Sequence, residues 1–170
     1  MESFEHFEEL GNCRFLFLEQ LFEPKKNTLR VQLAEGIVSN ISQPVEIAGQ
    51  SLGNGFPVEL RPDSARYELL WNSYVLYQVQ NEIYGVKDAS AEGIVTRLAA
   101  VYRKSSLLDY ALRSGLVSHD YSGKMLHFEI VCADHVVAVI SEESPRCRKM
   151  GSKPCPQLKF LKHTFRQRKP

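Results

Sequence analysis

Alternation between apolar and polar residues recurs along much of the chain and predicts short β-strands. Between residues 29 and 33, Leu or Val occupies every odd position, and Arg30 and Gln32 separate them. This period of two is typical of a strand with one face exposed to solvent. An apolar run at 13–22 precedes it across a turn that contains proline and asparagine. The two segments therefore predict a β-hairpin.

The segment 65–85 is the richest in aromatic residues, with five of them, including the single tryptophan of the chain. Two runs rich in strand-forming residues, 67–71 and 74–80, lie on either side of Asn72 and Ser73. Asparagine and serine are common turn residues because their side chains can bond to the nearby backbone. We therefore predict that the two runs form a hairpin at the centre of a sheet.

A further pair of apolar runs, 125–132 and 136–140, also predicts a hairpin. Alternation places His127 and Cys132 on opposite faces of its first strand. Since a zinc ion needs ligands that converge on one point, these residues do not predict a zinc site. No metal or other cofactor is expected.

The helix pattern is clearest at 106–114. Ser105 is a suitable N-terminal cap, four apolar residues follow with helical spacing, and Gly115 can end the helix. The apolar run 94–102 fits either a buried strand or a short helix. The predicted fold class is α+β: mainly antiparallel β-sheet or sandwich built from hairpins, with one clear α-helix near 106–114.

Charge divides the chain into two unlike parts. Residues 1–143 contain all twenty acidic residues and twelve basic ones, which gives a net charge of −8. Residues 144–170 contain nine Lys or Arg and no acidic residue. We therefore predict a single acidic globular domain at 1–143 and a basic, mobile C-terminal tail at 144–170.

The same charge pattern limits the partners. An acidic domain repels nucleic acid, so nucleic-acid binding is expected only through the basic tail. No segment has the roughly 20 consecutive apolar residues that span a bilayer, and the acidic start of the chain does not look like a secretory signal. The expected location is the cytoplasm, in agreement with four scattered cysteines that form no Cys-x-x-Cys pair.

No combination of residues spells out a reaction, so the interpretation leans towards a protein without catalytic activity. Exposed Tyr and Trp side chains are frequent anchors of protein interfaces. The predicted binding residues are Trp71, Tyr74, Tyr77, Asn81 and Glu82. The alternative is a small-ligand or enzyme pocket in which Glu92 and Arg97 join Tyr77 and Glu82.

Residues 65–141 resemble a family of small bacterial proteins that are mostly uncharacterised. The resemblance rests on four stretches of this sequence: Tyr67-Glu-Leu-Leu-Trp, Tyr74-Val-Leu-Tyr-Gln-Val-Gln-Asn-Glu, Tyr102-Arg-Lys-Ser-Ser-Leu-Leu-Asp-Tyr and His127-Phe-Glu-Ile-Val-Cys-Ala-Asp-His-Val-Val-Ala-Val-Ile-Ser. It implies a folding unit and no catalytic residues. The leading hypothesis is a bacterial protein-binding module, of which an immunity-type protein that neutralises a basic toxin is one form.

Overall fold

The structure is a computed structural model that describes Phe7 and residues 9–116 and 123–150. The strands are, in chain order, β1 (Leu16–Phe22), β2 (Leu29–Glu35), β3 (Ile37–Val38), β4 (Gln43–Ile47), β5 (Gln50–Gly55), β6 (Val58–Glu59), β7 (Arg66–Trp71), β8 (Leu76–Asn81), β9 (Glu92–Val95), β10 (Ala99–Lys104), β11 (Leu126–Val131), β12 (His135–Ser141) and β13 (Arg146–Met150). An α-helix, α1, covers Ser106–Arg113, and 3₁₀ turns cover Leu10–Asn12 and Glu82–Tyr84. Every strand pair is antiparallel. The predicted β-rich α+β class is therefore confirmed.

The first sheet has four strands in the order β1-β2-β7-β13. Its first two strands form the hairpin predicted from the alternation around residue 30, and the turn places Asn27 at a φ of 61°. Asparagine tolerates this left-handed conformation better than most residues do. Strand β7 lies between β2 and β13, and all of its residues except Leu70 are buried. This sheet is thus buried most deeply along β7.

The second sheet has five strands in the order β8-β12-β11-β10-β9. The hairpin predicted around residues 133–135 is confirmed as β11 and β12, which pair from Leu126 with Ser141 to Val131 with Val136. The segment 94–102, for which a strand and a helix were both open, belongs to strands β9 and β10. Strands β8 and β9 are the two edges of this sheet.

Two short pairs, β3 with β6 and β4 with β5, lie between β2 and β7 in the chain. The turn between β4 and β5 places Ala48 and Gly49 at φ values of 51° and 79°. Two successive residues with positive φ are the mark of a tight hairpin turn. All residues of β4 are exposed, so this hairpin projects away from the core.

Side chains from both large sheets share one hydrophobic core. Trp71 of β7 packs edge-on against Phe128 of β11, with ring centroids 5.9 Å apart, and Phe7 also packs edge-on against Phe128, with centroids 5.7 Å apart. The largest fully buried side chains are Trp71, Phe128, Leu10, Leu16, Leu29, Leu33, Leu69, Ile130, Ile140, Val31, Val137 and Val139. The inward-facing residues of alternating strands thus supply the core, as their spacing predicted.

Helix α1 confirms the prediction made for 106–114. The hydroxyl oxygen of Ser105 accepts a hydrogen bond from the backbone N–H of Leu108 at 3.1 Å, which caps the first turn. Gly115 follows the helix with a φ of 70°. Leu108 and Ala111 pack against Ile140 of β12 in a second apolar cluster. The helix therefore covers part of the five-stranded sheet on the side away from the main core.

The hairpin predicted for 67–80 is wrong. Its two halves, β7 and β8, belong to different sheets, and residues 72–75 carry the chain from one to the other. Strand β7 pairs with β2 and β13, whereas β8 pairs with β12. Alternation fixes which side chains share a face, but it does not specify the neighbouring strand.

The boundary predicted at residue 143 also differs from the structure. Residues 146–150 of the predicted tail form β13, which pairs with β7 along its whole length. Cys147 lies in this strand with a buried side chain. The remainder of the predicted tail, 151–170, lies outside the described residues.

Candidate functional site

The edge strand β8 is the starting point of the candidate site. Within the described part of the chain it pairs only with β12, from Leu76 opposite Ile140 to Asn81 opposite His135. The backbone N–H of Glu82 donates to the carbonyl of Asp134, directly opposite it, at 3.2 Å. Antiparallel strands alternate between hydrogen-bonded and non-bonded pairs, so the backbone groups of residues 77, 79 and 81 face away from β12. These groups form an open edge.

A short ordered turn presents apolar side chains beside this edge. The side chain of Asn81 accepts a hydrogen bond from the N–H of Ile83 at 3.0 Å, and the amide of Gln80 donates to the carbonyl of Tyr84 at 2.7 Å. Ile83 is 80% exposed, Tyr84 72% and Val86 90%. We call the surface formed by Val79, Asn81, Glu82, Ile83, Tyr84 and Val86 the β8 edge surface. Clustered exposed apolar residues of this kind mark interaction sites.

The five predicted binding residues do not share one surface. Trp71 is only 1% exposed and lies in the core, so it is unavailable to a partner in this conformation. The rings of Tyr74 and Tyr77 pack edge-on at 5.2 Å, and both are half-buried against the core. Asn81 and Glu82 are exposed and belong to the β8 edge surface.

Tyr74 also makes a polar contact that ties it to the first sheet. Its hydroxyl donates to the carboxylate of Glu23, which follows β1. This hydrogen bond, with the negative charge beside it, raises the pKa of Tyr74 to about 12. Tyr74 therefore stays neutral under ordinary conditions and acts as a link between the two sheets.

The alternative pocket is not assembled by this fold. Glu92 begins β9 and bonds to Lys104 at 2.6 Å, and Arg97 follows the same strand. Tyr77 belongs to β8, at the opposite edge of the five-stranded sheet. Four strand spacings of about 4.8 Å separate the two edges, roughly 19 Å. The four residues proposed for this pocket thus fall into two distant pairs.

Sequence reasoning missed Ile83, Tyr84 and Val86. They follow the strand-like run 74–80, and no periodic pattern in the sequence indicates that their side chains are exposed. The available signal was the pair Asn81-Glu82, because asparagine at a cap position starts a turn and exposes the residues that follow it. The exposure of these three side chains suggests a binding surface only because β8 lies at the edge of its sheet.

A serine and a histidine with catalytic potential meet elsewhere, under helix α1. The Nδ1 atom of His127 lies 3.0 Å from the hydroxyl oxygen of Ser105. Ser105 is 1% exposed and caps α1, and His127 is 5% exposed. Burial lowers the pKa of His127 to about 4, so the imidazole is neutral. Both groups are buried, and their contact joins the N-terminus of α1 to β11.

Comparison of the chain with protein-family models, with curated proteins and with solved structures finds no match. The resemblance of 65–141 to a bacterial family therefore stays an interpretation. In the part of the chain that the structure describes, no three His, Cys, Asp or Glu side chains are grouped so that they could hold a metal ion. No helix among these residues is long and apolar enough to cross a membrane.

Proposed function

We propose that this chain is a non-catalytic protein-binding module that adds an extended segment of its partner to the open edge of β8. The observation that carries the proposal is that the outward-facing backbone groups of β8, which have no partner strand among the described residues, lie beside three highly exposed apolar side chains, Ile83, Tyr84 and Val86. In strand addition, backbone hydrogen bonds supply affinity and neighbouring side chains supply specificity.

The sequence of β8 favours this mode of binding. The strand reads Leu-Tyr-Gln-Val-Gln-Asn and contains no charged residue and no proline. Charges and prolines on edge strands are the usual devices that prevent further pairing. An edge strand that lacks both devices is suited to accept another strand.

Charge supports a basic partner. Glu82 on the β8 edge surface and the neighbouring Asp134, whose side chain is 60% exposed, place two carboxylates at one end of the open edge. With β13 included, residues 1–150 contain twenty acidic and fifteen basic residues, which gives a net charge of −5. Such a field speeds the association of a positively charged protein. We therefore propose a basic protein partner, with toxin neutralisation in the bacterial cytoplasm as the specific form of the function.

We further propose that the two large sheets pack face to face as a sandwich. Their shared core cluster and the Trp71–Phe128 ring contact support this arrangement. A rigid sandwich holds β8 in one place, so that strand addition does not require the edge to order on binding.

The test uses a partner captured from a host lysate at moderate salt, and then compares affinities of purified variants. Val79→Pro removes a backbone N–H that faces the open edge and leaves the hydrogen bonds to β12 intact, because proline is tolerated on edge strands. Ile83→Asp places a charge in the exposed apolar cluster. We expect each change to weaken binding at least tenfold without loss of the native circular dichroism spectrum.

The matched control is Leu52→Asp on the exposed β4–β5 hairpin, where the leucine is 63% exposed and lies outside the β8 edge surface. This variant should bind as the unmodified protein does. If Val79→Pro and Ile83→Asp fold correctly and keep full affinity for the captured partner, the β8 edge is not the binding site.

A further inference from the structure

A second candidate binding surface, rich in arginine, lies on the outer face of the four-stranded sheet. It is a cavity of about 240 Å³, lined by Arg30, Glu68, Leu70, Arg146 and Arg148. Strand register brings these residues together from three adjacent strands. Arg30 of β2 and Arg146 of β13 both lie opposite Leu70 of β7, and Arg148 lies opposite Glu68 in the neighbouring row.

One buried carboxylate organises this cavity. The side chain of Glu68 is 6% exposed and lies 2.8 Å from Nη2 of Arg148 and 3.6 Å from Nε of Arg30. The amide of Gln32 also donates to it at 3.3 Å. The guanidinium of Arg30 is further held over the ring of Phe22, with 5.6 Å to the ring centroid. Arg30 and Arg148 are therefore held in place by contacts within the protein.

The residues that line the cavity carry more positive charge than is needed to neutralise Glu68. Three guanidinium groups and one carboxylate line the cavity, which leaves two positive charges in excess among the lining residues. Arg146 makes no ion pair with any other described residue, and the buried Nε of Arg30 has no hydrogen-bond acceptor there. Glu68 is already paired with Arg30 and Arg148, so the guanidinium of Arg146 is left without an anionic partner among the described residues.

We propose that this cavity binds a small dianionic oxyanion of the phosphate type, held by Arg30, Arg146 and Arg148. Guanidinium groups match the oxygen geometry of phosphate through paired N–H donors, and two excess positive charges balance a dianion. The volume lies below the roughly 300–1,000 Å³ of sites that enclose drug-sized ligands, so the cavity fits a phosphate group with at most a small substituent. This site is on the other sheet from the β8 edge surface and does not depend on it.

The probe is inorganic phosphate, titrated into the full chain at constant ionic strength and followed by NMR of the arginine Nε–H signals. We expect saturable binding that shifts the Arg30 signal. A small phosphate monoester should bind within a few-fold of inorganic phosphate if the ligand is an organic phosphate, and far more weakly if the site takes the free ion. Acetate, a monoanion, should bind at least tenfold more weakly than phosphate.

Arg146→Gln should weaken phosphate binding at least tenfold, and Arg30→Lys, which keeps the charge but removes the planar guanidinium with its paired N–H donors, should weaken it several-fold. The matched control is Arg113→Gln, on the exposed surface of α1, which should leave the affinity unchanged. The proposal is overturned if phosphate binding does not saturate, if acetate binds equally well, or if folded Arg146→Gln binds phosphate as tightly as Arg113→Gln does.

Discussion

The two large sheets of this protein protect their outer faces and edges by different means. The four-stranded sheet uses charge: Arg66 and Glu19 pair at 3.2 Å, Glu68 is surrounded by arginines, and its edge strand β13 carries Arg146, Arg148 and Lys149. The five-stranded sheet uses helix α1 as a cover and leaves its uncharged edge strand β8 open. Because charged edges resist further pairing, this difference supports the proposal that a partner strand adds to β8.

The largest effect is expected from breaking the buried ion pair of the four-stranded sheet. In Arg66→Met, Glu19 and the backbone carbonyls of Arg61, Pro62 and Ser64 lose their shared donor. Removing one partner of a buried pair costs about 3–5 kcal/mol, since the other charge stays buried. Denaturant unfolding should show a loss of this size in the free energy of unfolding.

The control for this measurement is Arg113→Met, which removes an exposed helix pair with a 3.9 Å separation and should change the free energy of unfolding by less than about 0.5 kcal/mol. Equal losses in the two variants would mean that the four-stranded sheet does not depend on its charge network.

The next largest effect on the free energy of unfolding is expected in the five-stranded sheet, where the neutral imidazole of His127 is buried. His127 has a pKa lowered by burial to about 4, against an ordinary value of 6.5. His127 therefore binds a proton more tightly in the unfolded chain than in the folded protein. The stability that the neutral, buried imidazole contributes is complete above pH 6.5 and is lost as the pH falls towards 4. The expected loss over this range is about 3 kcal/mol.

Unfolding of the unmodified protein and of His127→Gln should be compared between pH 7 and pH 4. The variant should lack this part of the acid dependence, while the matched change His135→Gln, at a half-exposed histidine of β12, should retain it. Glu129, whose pKa is raised by burial, is present in all three proteins, so its contribution to the pH dependence of stability is the same in each. Identical pH profiles would show that His127 is not buried as a neutral group.

The smallest effect on stability is expected when β8 is given a positive charge, like the charges that β13 carries. Gln78→Lys places a lysine on an exposed position of the open edge. Surface substitutions of this kind change the free energy of unfolding by less than about 0.5 kcal/mol. Affinity for the partner should nevertheless fall several-fold, because an edge lysine disfavours strand addition. Unchanged affinity by calorimetry would show that the edge backbone takes no part in binding.

Local sequence predicted the elements whose partners are near in the chain. The β1–β2 and β11–β12 hairpins and helix α1 were all predicted, because turn residues and the Ser105 cap act over a few residues. Of the residues predicted for binding, Asn81 and Glu82 lie on the β8 edge surface, whereas Trp71 is buried in the core.

The sequence alone thus determined the strand-rich character of the chain, its best hairpins and its helix, since these depend on local periodicity and capping. The tertiary structure decided that β7 and β8 separate into different sheets, that β13 closes one edge, and that Arg30 meets Arg146 across β7. The physical reason is that alternation specifies the face of each side chain, whereas strand neighbours are chosen by burial and pairing between segments far apart in the chain.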